Sequence, residues 1–117
     1  GFDISSYAIE NASPLVKDTM TIADARKPFQ YKDNEFDLVI SLGTLHNLKF
    51  FDLIDCLDEM KRVAEEGYIM VESYRNEEEL FNLQCWALTC ETFLDYDTWV
   101  KLISSYKIFD YEFIFFE

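Results

Sequence analysis

Four short stretches hold the residues best suited to chemistry: Asp3, Asp24, Ser41 to His46, and Glu72 to Arg75. Each sits just past a short apolar segment. A carboxylate at Asp3 can accept two hydrogen bonds from the vicinal hydroxyls of a ribose, or equally cap the helix that follows. Asp24, within Ala23-Asp24-Ala25, can accept from an exocyclic amine such as that of adenine, or close a turn. His46 is the only histidine, so any imidazole chemistry in this chain must use it. Its ordinary pKa near 6.5 suits it to taking a proton or orienting a substrate. Within Leu45-His46-Asn47-Leu48 it can equally serve as a structural hydrogen bonder. One histidine cannot supply a multi-histidine metal site, so no metal is expected. Cys56, Cys85 and Cys90 lack the paired spacing of zinc ligands or a disulfide framework, which points to reduced thiols in a cytoplasmic setting. No P-loop, GxGxxG run or serine nucleophile elbow occurs. Asp95 and Asp97 suit a helix start better than glycoside chemistry.

The elements that position these groups follow from the patterning. With 117 residues, half of them apolar and 17% aromatic, the chain is long enough for one domain with a real core. Disorder is excluded by the same composition. No apolar run approaches the roughly 20 residues of a membrane helix. Ten Lys and Arg against 23 Asp and Glu leave a formal net charge of -13, and the cations gather on no single face. Binding a phosphate backbone needs clustered cations, so no nucleic-acid partner is expected. Strands are expected at Gly1–Ile4, Met20–Ala23, Phe36–Ser41, Tyr68–Glu72 and Tyr111–Phe116. Helices are expected at Tyr7–Ala12, Asp52–Glu66, Glu77–Leu88 and Tyr96–Ser105. The Asp52–Glu66 helix shows three- and four-residue apolar spacing through Leu53, Leu57, Met60 and Val63, with Gly67 as its stop. Phe109, Tyr111, Phe113, Phe115 and Phe116 read as strand core. Helices alternating with short apolar strands imply an α/β fold with a mostly parallel sheet covered on both faces. Ligands in such sheets bind beyond the carboxyl ends of the strands, where all four stretches fall.

Taken together, these stretches resemble a known family. Gly1-Phe2-Asp3-Ile4-Ser5-Ser6-Tyr7-Ala8-Ile9, followed by Ile22-Ala23-Asp24-Ala25-Arg26-Lys27-Pro28-Phe29, is similar to class I S-adenosylmethionine-dependent methyltransferases. Asn34-Glu35-Phe36-Asp37-Leu38-Val39-Ile40-Ser41 with Leu45-His46-Asn47-Leu48 is similar to that family's fourth-strand motif and loop, and Glu59-Met60-Lys61-Arg62-Val63 also matches. The resemblance runs in order over Gly1 to Val71. It implies a Rossmann-like methyltransferase sheet with helices on both faces, mostly parallel, with an antiparallel C-terminal strand. It further implies that Asp3 holds the ribose hydroxyls, that Ile4 packs on the adenine, and that Asp24 and Ala25 meet the adenine amine and ring edge. Ser41 and Leu42 would lie beside the methionine part of S-adenosyl-L-methionine, and His46 would face a small-molecule methyl acceptor.

Two features depart from the family pattern. Its glycine-rich motif and first strand precede the strand ending at Asp3, and neither is in this sequence, which reads as an N-terminally truncated methyltransferase domain spanning 1–117. Such a domain would place Phe36–Ser41 and Tyr68–Glu72 side by side. It would also leave a gap between Gly1–Ile4 and Phe36–Ser41, to be closed up, filled by a missing N-terminal segment or a second copy of the chain, or tolerated by a loosely held N-terminal part. The segment Ser105-Tyr106-Lys107-Ile108-Phe109 also lacks the glycine usual in the family's last hairpin. The expected function is methyl transfer. The alternatives are a non-catalytic methyltransferase-like remnant acting as a binding module and a nicotinamide-dependent oxidoreductase; the Phe36–Leu48 block and the aromatic last strand speak against the latter.

Overall fold

The computed structural model describes all residues, 1–117, and forms two parallel sheets in one α/β body. The smaller sheet pairs β1 (Phe2–Asp3) with β2 (Thr21–Ile22) around the short helix α1 (Ser6–Glu10). The larger sheet has the order β3 (Phe36–Leu42), β4 (Ala64–Glu72), β5 (Phe109–Ile114). Helix α2 (Phe50–Val63) crosses between β3 and β4, while α3 (Glu77–Trp86) and α4 (Tyr96–Ser104) lie between β4 and β5. The adjacent, parallel pairing of β3 and β4 is as the sequence implies. No hydrogen-bonded ladder joins β1 to β3, so the two sheets remain separate and the edge of β3 away from β4 is unpaired.

The core lies on one face of the larger sheet. Leu53, Cys56, Leu57 and Met60 of α2 pack with Ile69 and Val71 of β4, Trp99 and Ile103 of α4, and Phe109 of β5. Each is no more than 6% exposed. Full burial of side chains this size contributes roughly 1.5–3 kcal/mol each. The helix starts are capped as their composition suggests: Asn76 accepts from the Glu79 amide at 2.9 Å and Asp95 from the Thr98 amide at 2.7 Å.

Three expectations need correction. The last strand is parallel, not antiparallel, and spans Phe109–Ile114 rather than Tyr111–Phe116. An antiparallel neighbour arrives through a tight hairpin. Here the chain returns from Glu72 through two helices and enters β5 at the end where β4 began, after a turn in which Lys107 adopts φ +62°. The aromatic group therefore divides: Phe109 is core and Phe113 packs beside it, Tyr111 is exposed, and Phe116 lies past the strand stacked on Trp86. Gly67 does not end α2. The helix stops at Val63, and residues 64–66 become strand because Phe36 and Leu38 pair with Ala64 and Glu66. Finally, helices do not cover both faces at β3: Phe36, Leu38, Ile40 and Leu42, on the side opposite the core, are 38–58% exposed.

Gly67 has a packing reason to be glycine. A Cβ at this position would stand 2.3 Å from Cδ1 of Phe109 and 3.3 Å from Val39, inside the three-strand layer. Gly67→Ala is expected to cost about 1–3 kcal/mol in a denaturant titration, because the Phe109 ring must leave its place. Phe109→Leu should recover part of that loss in the double variant, so the two substitutions will not be additive.

Candidate functional site

The smaller sheet carries Asp3, Ile4, Asp24 and Ala25. Asp3 ends β1, and its Oδ1 accepts from the Ser5 amide at 2.8 Å. Its other oxygen has no protein partner, so the carboxylate both orders the loop into α1 and keeps an acceptor free at the exposed strand end. Ile4 beside it is 63% exposed. The Ala23 amide donates to the Asp3 carbonyl at 3.1 Å, which brings Asp24 to the same end of the sheet. There Asp24 is already engaged. Arg26 grips its carboxylate through Nε at 2.9 Å and Nη2 at 2.7 Å, and donates its amide to Oδ1 at 2.9 Å. These bonds hold the Asp24 pKa down at about 2. Ala25 is half-buried against the main core.

Ser41 and Leu42 lie at the carboxyl end of β3 in the larger sheet. Gly43 then turns the chain with φ +61°, a conformation that favours glycine, and leads into the 3-10 turn Leu45–Asn47. That turn seats His46, only 4% exposed, against the end of β4. A strap from Thr89 to Thr92 holds the turn in place. The Glu91 and Thr92 amides donate to the His46 carbonyl at 3.0 and 3.1 Å. The Thr92 hydroxyl donates to the Leu48 carbonyl at 2.6 Å and the Thr89 hydroxyl to Asn47 Oδ1 at 2.7 Å.

The partner of His46 is Glu72, the last residue of β4. Nδ1 lies 2.6 Å from Glu72 Oε2, with both side chains 5% exposed. The approach is off the line of a regular hydrogen bond, and neither atom has another partner. Two bare lone pairs would not approach this closely, so at least one proton belongs to the pair. Burial lowers the His46 pKa and the Glu72 charge opposes that shift; burial is the larger effect. Sequence reasoning flagged Glu72 as lying past a strand without pairing it to His46. No local signal identified the threonines of the strap.

The two sets of residues are linked by side chains rather than by a sheet. Arg62 donates to the carbonyls of Phe29 and Tyr31 at 3.0 and 2.8 Å, and to Asp33 at 2.9 Å. It also pairs with Glu59, whose Oε2 accepts from the Phe29 amide at 2.6 Å. Phe29 in turn meets Phe2 edge-on at 5.0 Å. The loop after β2 is thereby pinned to the end of α2. Arg62→Ala is expected to raise amide exchange across residues 21–31 while leaving β4 protected; equal exchange in the two proteins would show that the clamp does not hold the loop.

The chain is thus a parallel α/β body with one acid at the end of β1, another past β2 and a histidine past β3. A family model for a methyltransferase domain matches residues 1–115, and the chain belongs to that family. No curated protein and no solved structure matches the chain. No helix is long and apolar enough to cross a membrane.

The lowered His46 pKa has a stability consequence. With a folded value below the unfolded one, the unfolded chain binds the extra proton, so stability is lost as pH falls below about 6.5. Thermal melts of the native chain and of His46→Gln should converge or cross as pH is lowered from 8 to 5, because only the former carries this penalty. A constant difference in Tm across that range would contradict it.

Proposed function

We propose that this domain transfers a methyl group from S-adenosyl-L-methionine to a small-molecule acceptor. The observation that carries the reading is the family match over residues 1–115, nearly the whole chain. The site supports it in part. Asp3 has a free carboxylate oxygen suited to ribose hydroxyls, and Ile4 offers an open apolar surface for adenine. Ser41 and Leu42 border the turn that carries His46. Bound S-adenosyl-L-methionine supplies an electrophilic methyl group on a sulfonium, so the protein's task is chiefly to position two reactants in line. Asp24 fits less simply: Arg26 must release its carboxylate before it can accept from the adenine amine. That engagement favours a second reading, a methyltransferase-like module that binds without catalysis. The -13 charge favours a small molecule over a nucleic acid as partner in either case.

Calorimetric titration with S-adenosylhomocysteine tests the assignment. Binding is expected, and Asp3→Ala should weaken it about ten- to a hundredfold through loss of a charge-assisted contact of roughly 1.5–3 kcal/mol. Asp24→Ala should weaken it less, since it loses one bond to a neutral amine and frees Arg26. Unchanged affinity in both variants would overturn the cofactor site. Titration with NADH is expected to show no binding.

A further inference from the structure

We infer that Glu72 is a positioning residue that fixes the His46 tautomer, so that the dyad takes the proton of a protic acceptor, a hydroxyl, during methyl transfer. This rests on the methyl-transfer reading above.

The geometry distinguishes the two ring nitrogens. Nδ1 is enclosed and faces Glu72 Oε2 at 2.6 Å. Nε2 has no protein partner either, but it is not among the enclosed atoms, so the ring's small exposure reaches that nitrogen. A carboxylate against Nδ1 favours the tautomer with the proton there, leaving Nε2 with its lone pair at the surface. The pair also sits at the carboxyl ends of β3 and β4, where ligands of parallel sheets bind. Burying a Glu at a strand end is costly unless it is paired, and the Thr89–Thr92 strap bonds the His46 backbone without offering either side chain a partner. Glu72 Oε1 also stands 3.4 Å from where a Cβ would project at Gly43, so the turn and the carboxylate fit closely. The remaining titratable neighbours do not compete for the proton. The Cys90 thiol is pushed up to about 11 by burial and stays neutral, and Glu91 is exposed.

The step balances as follows. The acceptor oxygen's lone pair forms the new O–CH3 bond as the S–CH3 bond breaks, and that electron pair leaves on neutral S-adenosylhomocysteine. The hydroxyl proton passes to Nε2, and the resulting imidazolium is held by the Glu72 carboxylate until it releases the proton to water. An acceptor with no proton to lose would have no use for the pair.

Because His46 is the only histidine, the imidazole resonances of the 15N-labelled chain come from one residue. Near pH 7.5 the proton is expected on Nδ1, with Nε2 bare and reacting with one equivalent of diethylpyrocarbonate. Glu72→Gln should lower the His46 titration midpoint so that its proton affinity drops at least tenfold, and should mix the tautomers. Glu72→Asp should restore the Nδ1 tautomer, which separates positioning from loss of folding. A proton on Nε2 in the native chain, or an unchanged titration in Glu72→Gln, would overturn the dyad. If the Nδ1 tautomer is present but S-adenosylhomocysteine does not bind, the methyl-transfer reading fails and the acceptor role of the pair fails with it. Binding with an Nε2 proton leaves the reading standing and removes the dyad alone.

Discussion

The Arg62 guanidinium holds together what the backbone leaves apart. β1–β2 and β3–β4–β5 share no ladder, yet Asp3 belongs to one and His46 to the other. One side chain at the end of α2 gathers the carbonyls of Phe29 and Tyr31 and the carboxylates of Asp33 and Glu59. A guanidinium suits this because its donors lie in a fixed planar fork that can meet several acceptors at once. The same residue sits in the Glu59-Met60-Lys61-Arg62-Val63 segment that carries part of the family resemblance. Here that segment ties the loop after β2 to the end of α2 through Glu59 and Arg62.

Below the clamp, β4 organises the rest. It is the middle strand of three and contributes Ile69 and Val71 to the core, Gly67 to the close approach of Phe109, and Glu72 to the buried pair. Strand alternation separates these roles: Gly67, Ile69 and Val71 face the helices, while Glu72 falls on the other side, against His46. The apolar face of β3 opposite the core stays open, so burial in the large sheet is one-sided at that edge. The core and the buried His46–Glu72 pair therefore draw on different residues of one strand.

Much of this was legible in the residues. Three- and four-residue spacing located α2, Asp95 marked the start of α4, and the Phe36 and Tyr68 segments read as neighbouring parallel strands. The strand pattern placed Asp3, Asp24, Ser41 and His46 just past strands; Asp24 and His46 do follow β2 and β3, while Asp3 and Ser41 fall within the last two residues of β1 and β3. Local pattern failed where a residue's neighbours are distant in sequence. Gly67 looked like a helix stop because glycine commonly ends helices, but its reason is the Phe109 ring across the sheet.

By itself the sequence determined which stretches alternate or repeat with helical period, where helices begin, and which acids and single histidine could do chemistry, because these depend on neighbours within a turn or two. Tertiary structure decided the direction of β5, since a strand's sense depends on the route of the chain before it and not on its own pattern. It also decided that Arg62 reaches the carbonyls of Phe29 and Tyr31 and that Glu72 lies against Nδ1 of His46. In the latter case the two residues are brought together only once α2 has crossed the sheet and β4 has paired with β3, and a 2.6 Å contact of that kind has no signature along the chain.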